Sequence, residues 1–335
     1  MCVDNAGLLQ YAVRTPFGHV SATLNRSAMP RCAPLVAVGR AADHPLRRTL
    51  LAMALLLGVT SASPLRAQST ATPSPLPTPR TSVTESPAVR ACVDAAGTGA
   101  GDVSGSTLIA DARTGALVAG RAERVDRPLI PASTFKIISA LVALETGVIT
   151  DAQTVIPWDS VVRDRPEINR DLDLQTAFRL SAVPHFQSLV RRIGSVRMQQ
   201  ALDTIGYGNR NIGGGIDQFW LTGALRISPR GQVAVLTRLL HDDLPVSRRS
   251  MAIVRAMMVN EVTATYTIRA KTGLTTPPGS ETVGWWVGWV ERGPAVHVFA
   301  TALVAAAPTA GFNAQRLAVS RCALQALSIL SDGPP

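Results

Sequence analysis

The stretch Pro131-Ala132-Ser133-Thr134-Phe135-Lys136-Ile137-Ile138-Ser139-Ala140-Leu141 constrains this chain more than any other. Phe135, Ile137, Ile138, Leu141, Val142 and Leu144 leave it no polar face. A helix that is apolar all round has to be buried all round. Pro131 stands just ahead of the first turn, where proline is tolerated, and Gly147 follows the last apolar residue, where it suits a helix end. Ser133 and Lys136 are three residues apart, so a helix puts their side chains on one face. The helix start also supplies free backbone N–H groups and partial positive charge beside the serine. The stretch therefore predicts a serine nucleophile with a lysine one turn on, at a site suited to an attacking alkoxide and an oxyanion.

The basic residues sharpen this expectation. Of 33 Lys and Arg, only Lys136 and Lys271 are lysines. Arginine cannot lose its proton, so it serves as neither general base nor free amine. The two surviving lysines are candidates for roles that arginine cannot fill. One lies in Ser133-x-x-Lys136 and the other opens Lys271-Thr272-Gly273. The bland alternative is a snorkelling lysine beside a capping serine.

Ser-x-x-Lys with Lys-Thr-Gly is the motif pair of serine β-lactamases and penicillin-binding proteins. The surrounding wording resembles the class D, oxacillinase-type β-lactamases. Pro131–Lys136 and Leu144-Glu-Thr-Gly-Val-Ile149 resemble that family's first block, Ser181-Ala182-Val183 its Ser-x-Val motif, and Tyr207-Gly208-Asn209 its Tyr-Gly-Asn motif. Phe219-Trp220-Leu221 resembles its tryptophan motif, and Gly284-Trp285-Trp286-Val287-Gly288-Trp289-Val290-Glu291 its closing strand. The resemblance runs from about Ser104 to Leu330.

A chain of 335 residues can bury a large core. Its formal charge is +10, of which six Arg and two Asp in residues 1–62 supply +4. Basic clusters interleaved with aromatics are missing, so nucleic acid is not an expected partner. Residues 1–62 read as a leader: Arg47-Arg48, an apolar run from Thr49 to Thr60, then Thr60-Ser61-Ala62 as a cleavage point. A run of twelve residues is too short to span a bilayer comfortably, so no stable membrane insertion is expected after cleavage. The length ahead of Arg47 makes Met29 a candidate start. Residues 63–87, rich in Ser, Thr and Pro, read as a disordered linker, and the folded domain as 88–335.

Within that domain, Ser106–Asp111 and Gly115–Ala119 read as a hairpin. Helices are expected at Ser181–Ile193, Ser195–Ile205 with Ser195 as N-cap, Ser228–Leu240 with Ser228 and Pro229 in cap and N1 positions, and Ser247–Met258. Strands return at Thr265–Lys271, Val283–Val290 and Ala295–Val304, before a last helix over Asn313–Leu330. The expected fold class is α/β plus all-α: an antiparallel sheet flanked by terminal helices, with a helical lobe inserted at about 130–262. The resembled serine β-lactamase and transpeptidase fold has this arrangement, with its site in the cleft between.

Cys2 and Cys32 fall in the leader. Cys92 and Cys322 remain, and either pair or serve as small buried apolar residues. No Cys-x-x-Cys or His-x-x-x-His spacing offers a metal site. The resembled family packs its terminal helices side by side, which implies a Cys92–Cys322 disulfide. His19, His44, His185, His241 and His297 stand in no triad setting, so Lys136 is the base candidate for Ser133.

The resemblance implies the remaining roles. Lys136 would be carbamylated (N6-carboxylysine) by carbon dioxide or bicarbonate, with no other cofactor, and would act as general base in acylation and deacylation. Trp220 would donate to the carbamate, although alone it reads as a core tryptophan. Val183 and Leu221 would line that pocket and limit water. Ser181, which alone reads as a helix cap, would shuttle a proton or bond the substrate. Lys271 and Thr272 would face the substrate carboxylate, with Gly273 keeping that face open. Ser133 and Leu274 N–H groups would form the oxyanion hole, and Arg316 would bind the carboxylate. Tyr207-Gly208-Asn209 is a structural turn first. The implied activity is hydrolysis of a small-molecule β-lactam by an exported, periplasmic or secreted enzyme, monomeric or homodimeric. The competing readings are a penicillin sensor or a transpeptidase that acylates and deacylates slowly.

Overall fold

The apolar runs at the two ends of the domain meet in one seven-stranded sheet of order β1-β3-β2-β9-β8-β7-β6. The computed structural model describes residues 82–97 and 103–331, so the leader and residues 63–81 of the expected linker lie outside the described residues. The strands are β1 (Val83–Glu85), β2 (Val103–Asp111) and β3 (Leu117–Gly120) at one end of the chain. At the other are β6 (Val259–Val262), β7 (Thr267–Thr275), β8 (Thr282–Arg292) and β9 (Ala295–Ala305). Neighbours run antiparallel except β1, which lies parallel to β3. The sheet is thus mixed at one edge, and its first described strand begins at Val83, inside the stretch expected to be linker. The signal there was weak because β1 is three residues long and sits amid Ser and Pro.

Helix α1 (Pro87–Gly97) and α8 (Phe312–Ala326) cover one face of the sheet, and Cys92 on α1 is bonded to Cys322 on α8, with Cα atoms 5.7 Å apart. On β8, Val283, Trp285, Val287 and Trp289 join the core shared with the helical lobe, while Trp286 and Val290 pack with the Ala323–Leu324 turn of α8. On β9, Val298, Ala300, Ala302 and Val304 face the lobe and Phe299 faces α8. This is the two-residue alternation of a strand covered on both faces, which explains why these segments read as continuous apolar runs.

The lobe holds α2 (Lys136–Glu145), a short pair of β4 (Val155–Ile156) and β5 (Leu172–Asp173), then α3 (Leu174–Arg179), α4 (Val183–Ile193), α5 (Ser195–Ile205), α6 (Pro229–Leu240) and α7 (Arg248–Met257). It closes at α7, because residues 259–262 form the edge strand β6 instead of lobe. Helix α6 also packs against β2, β8 and β9 and so bridges lobe and sheet. Every residue of α2 from Lys136 to Leu144 is buried, as an apolar helix requires. Each of its fully buried Ile and Leu side chains contributes roughly 1.5–3 kcal/mol.

Local signals located most helix starts. Ser228 accepts from Gly231 N at the start of α6, and Ser247 accepts from Ser250 N at the start of α7. Three expectations need correction. Gly194 is the N-cap of α5 and Ser195 its first helical residue. Helix α4 starts at Val183, two residues later than expected, because Ser181 adopts φ 54° and cannot continue a right-handed helix. Helix α8 ends at Ala326, four residues early.

Candidate active site

Ser133 sits in a 3-10 turn, Ala132–Phe135, that runs directly into α2. Ala132 has φ 51°, an unusual conformation for a residue with a Cβ, and its N–H donates to Trp220 O at 2.9 Å. Such strain persists where surroundings over-determine it, and it marks functional turns. Three residues on, Lys136 Nζ lies 2.8 Å from Ser133 Oγ, donating to it. Lys136 is fully buried and its Nζ is 5.4 Å from the centre of the Phe186 ring. Burial pushes this amine well below the usual lysine range, and the nearby charges of Lys271 and Arg165 push it further. The snorkelling alternative requires an exposed ammonium and is excluded.

A buried polar post stands behind the turn. Thr134 Oγ1 donates to Pro131 O at 2.7 Å and accepts from Gln232 Nε2 at 2.8 Å, while Gln232 Nε2 also reaches the Tyr207 hydroxyl at 3.5 Å. Burial raises the Tyr207 phenol above its ordinary value, so it has no reach as a base at neutral pH. The Tyr207-Gly208-Asn209 turn is structural. Gly208 has φ 53°, and a Cβ there would lie 2.0 Å from Arg226 O. Asn209 N donates to that same oxygen at 2.9 Å.

The second lysine comes from the sheet. Strand β7 pairs with β6 over Thr267 to Arg269, and further along it packs against the nucleophile turn. Lys271 Nζ donates to Ser181 Oγ and to Thr272 O, both at 3.1 Å. The N-cap of α4 is Ala182, so Ser181 is not a cap; it holds its hydroxyl toward Lys271. Burial, with Arg316 and Arg165 adding repulsion, pushes the Lys271 amine down to about 7. Strand alternation places Lys271 and Thr272 on opposite faces of β7, so they reach its edge from two sides.

Gly273 does something other than keep a face open. A Cβ there would lie 3.0 Å from Pro131 O and 3.1 Å from Thr134 Cγ2. Its missing side chain lets β7 close against the nucleophile turn. Leu274, next along, is 41% exposed at the cleft edge. Arg316 on α8 donates from Nη1 to Gly273 O at 2.8 Å, while its Nε is buried without a partner among the described residues. Burial lowers its guanidinium to about 10, which leaves it charged at neutral pH.

Trp220 is buried, packs on Phe135 with ring centres 5.5 Å apart, and has an Nε1 without a partner among the described residues. Leu221 is tied to β7 through Thr275 Oγ1, which donates to Leu221 O at 2.7 Å. Val183 lines a pocket of about 370 Å³ together with Arg163, Arg165, Ile168, Pro184 and Gln187. The structure thus pairs Lys136 with Ser133, Lys271 with Ser181 and Arg316 with Gly273, and packs the β7 strand that carries Lys271 and Gly273 against the nucleophile turn. Sequence reasoning did not anticipate Thr134, Gln232 or Thr275, because an ordinary Thr or Gln carries no local sign of a partner a hundred residues away.

Comparison with known proteins agrees with this geometry. Residues 105–321 match the penicillin binding protein transpeptidase domain. The chain is 44% identical over 203 residues to β-lactamase OXA-5 of Pseudomonas aeruginosa, covering 59% of this chain and 75% of that protein. It is 38% identical to the probable β-lactamase YbxI of Bacillus subtilis (strain 168), covering 60% and 74% of the two chains. Among solved structures, the class D β-lactamase YbXI from Nostoc superimposes with a TM-score of 0.68 at 37% identity, covering 72% of this chain and 99% of that one. A domain match over most of the chain, a nucleophile–lysine pair in contact and relatives of this identity lead to one assignment: the chain belongs to the penicillin-binding transpeptidase family and, within it, to the class D β-lactamases.

Proposed function

We propose that this protein hydrolyses β-lactams through an acyl-enzyme on Ser133. The observation that carries the reading is the 2.8 Å contact between Ser133 Oγ and a fully buried Lys136 Nζ. Lys136 takes the Ser133 proton as Oγ attacks the lactam carbonyl, and backbone N–H groups of Ser133 and Leu274 stabilise the oxyanion. The lactam C–N bond breaks, and its nitrogen receives a proton through Ser181, backed by Lys271. Arg316 and Thr272 hold the substrate carboxylate, for which the buried and half-satisfied guanidinium is suited. Water then cleaves the ester and frees Ser133.

Two features fit a carbamate on Lys136. Burial lowers the amine toward its neutral, carbon dioxide-reactive form, and Trp220 Nε1 is a buried donor that lacks an acceptor among the described residues. The carbamate would supply an anionic oxygen base, Trp220 would hold it, and Val183 and Leu221 would limit water around it.

The hydrolase reading requires turnover. Purified protein should consume a chromogenic cephalosporin in large molar excess, whereas consumption of one equivalent with a stable adduct by mass spectrometry supports the penicillin sensor and rejects hydrolysis. The relatives at 44–45% identity carry β-lactamase names, which favours the hydrolase.

Export is part of the same proposal. Among the described residues no helix is long and apolar enough to cross a membrane. The leader-like residues 1–62 and the Cys92–Cys322 bond suit an oxidising compartment. The exported form should begin between about Ser63 and Gln68 and show the mass of one disulfide, with no titratable thiol. An exported mass that retains residues 47–60, or two free thiols, refutes the export reading.

A further inference from the structure

The segment carrying Trp220 and Leu221 is held by isolated turn bonds, not by a regular ladder. Phe219 N donates to Gly215 O at 2.9 Å, Leu221 N to Gln218 O at 2.8 Å, and Gly223 N to Gln218 O at 3.0 Å. Toward the site it is gripped at two consecutive carbonyls. Ala132 N holds Trp220 O at 2.9 Å from the nucleophile side, and Thr275 Oγ1 holds Leu221 O at 2.7 Å from the strand side. Thr275 is the last residue of β7, directly after Leu274.

The β7–β8 hairpin has separate anchors. Thr276 and Thr282 share a hydroxyl–hydroxyl bond of 2.8 Å at its base, and Arg127 pairs with Glu281 at 2.5 Å on its far side. Removing the Thr275 hydroxyl therefore leaves the hairpin attached and takes away the hold on the Leu221 carbonyl, one of the two grips on the segment from the site side. Ser133 and Lys136 stand on the buried turn and α2, and neither makes a hydrogen bond to Thr275. The two half-reactions consequently make different demands on this bond.

We infer that Thr275 is a positioning residue for deacylation, its hydroxyl holding the Leu221 carbonyl so that Leu221 keeps its place in the wall that meters water to the acyl bond. The inference rests on the hydrolase reading and on the Leu221 wall proposed with it; the Thr275–Leu221 hydrogen bond carries the positioning.

The test compares T275V, which keeps the shape and removes the donor, with T275S, which keeps the donor. Acylation and deacylation rates are measured separately, by single-turnover burst and by release of preformed acyl-enzyme. Hydrogen exchange of the 219–222 amides is followed in the resting enzyme. In T275V, deacylation should slow about tenfold while acylation stays within about twofold, the size expected for one lost hydrogen bond that places a catalytic wall. Exchange at 219–222 should quicken by a similar factor, and T275S should restore both. Unchanged exchange in T275V overturns the inference whether or not the enzyme turns over. Equal losses in both half-reactions, or a T275S that behaves like T275V, also overturn it. Failure of the hydrolase reading itself would show separately, as one-equivalent consumption by the unmodified protein.

Discussion

Lys136→Arg should cost three to four orders of magnitude in kcat/KM, as much as Lys136→Ala, although it preserves positive charge. General-base catalysis contributes roughly 10²–10⁴-fold. Lys136 is fully buried and 2.8 Å from the nucleophile, so no solvent base substitutes for it. A guanidinium in that position stays protonated, cannot accept the Ser133 proton and cannot add carbon dioxide. It also buries a charge beside Lys271 and Arg165, which already depress Lys136. The same depression sets the pH behaviour. A lysine whose folded pKa lies below its unfolded value favours the folded state increasingly as pH rises from the folded toward the unfolded pKa, and loses that advantage on acidification. Activity follows the same sign: acid protonates the amine and decomposes a carbamate, so rates fall with falling pH and on degassing, and added bicarbonate restores them. Labelled-bicarbonate carbon NMR checks the modification without recourse to activity. A fully active enzyme with no carbamate resonance and no bicarbonate response eliminates the carbamate and leaves the free amine as base. Lys136→Arg retaining more than a tenth of the activity would eliminate Lys136 as base in either form.

Much of this site was visible before any fold was known, for physical reasons that differ by residue. Ser133 and Lys136 are close in sequence, and helical spacing alone brings their side chains together. Lys271 stood out because arginine had taken nearly every other basic position, which isolates the roles that need a removable proton. Ser228 and Ser247 announced α6 and α7 because capping is a local bond. What escaped notice depends on partners distant in sequence or on strain. The positive φ of Ala132 and Ser181 is imposed by surroundings and contradicts the habits of both residue types. The use of Gly273 became clear only when Pro131 O and Thr134 closed on it. Thr134, Gln232 and Tyr207 come from three elements, and no one of those segments predicts the network they form.

Arg316→Ala should raise KM by about 10–100-fold with kcat nearly unchanged. A charge-assisted hydrogen bond of about 1.5–3 kcal/mol converts to that range, at about 1.36 kcal/mol per tenfold. The proposed carboxylate contact persists from ground state to transition state, so its loss removes uniform binding. Arg316 is buried, stays charged at neutral pH, and among the described residues gives Nη1 to Gly273 O and leaves Nε without a partner. The same cation depresses Lys271, second only to burial itself. In the free enzyme Lys271 sits at about 7, so it loses its proton as pH rises through neutrality. Substrate capture should weaken over that rise, because a neutral amine no longer assists the carboxylate. Removing Arg316 lifts one repulsion, raises the Lys271 pKa and moves the alkaline limb of kcat/KM upward. Arg316→Ala thus combines weaker binding at every pH with a limb displaced to higher pH, a pairing that simple loss of packing does not produce. Profiles of kcat/KM against pH for the two proteins, with melting temperatures alongside, supply the check. An unchanged KM removes Arg316 from the carboxylate site. A raised KM with an unmoved limb keeps it there and dissolves its coupling to Lys271.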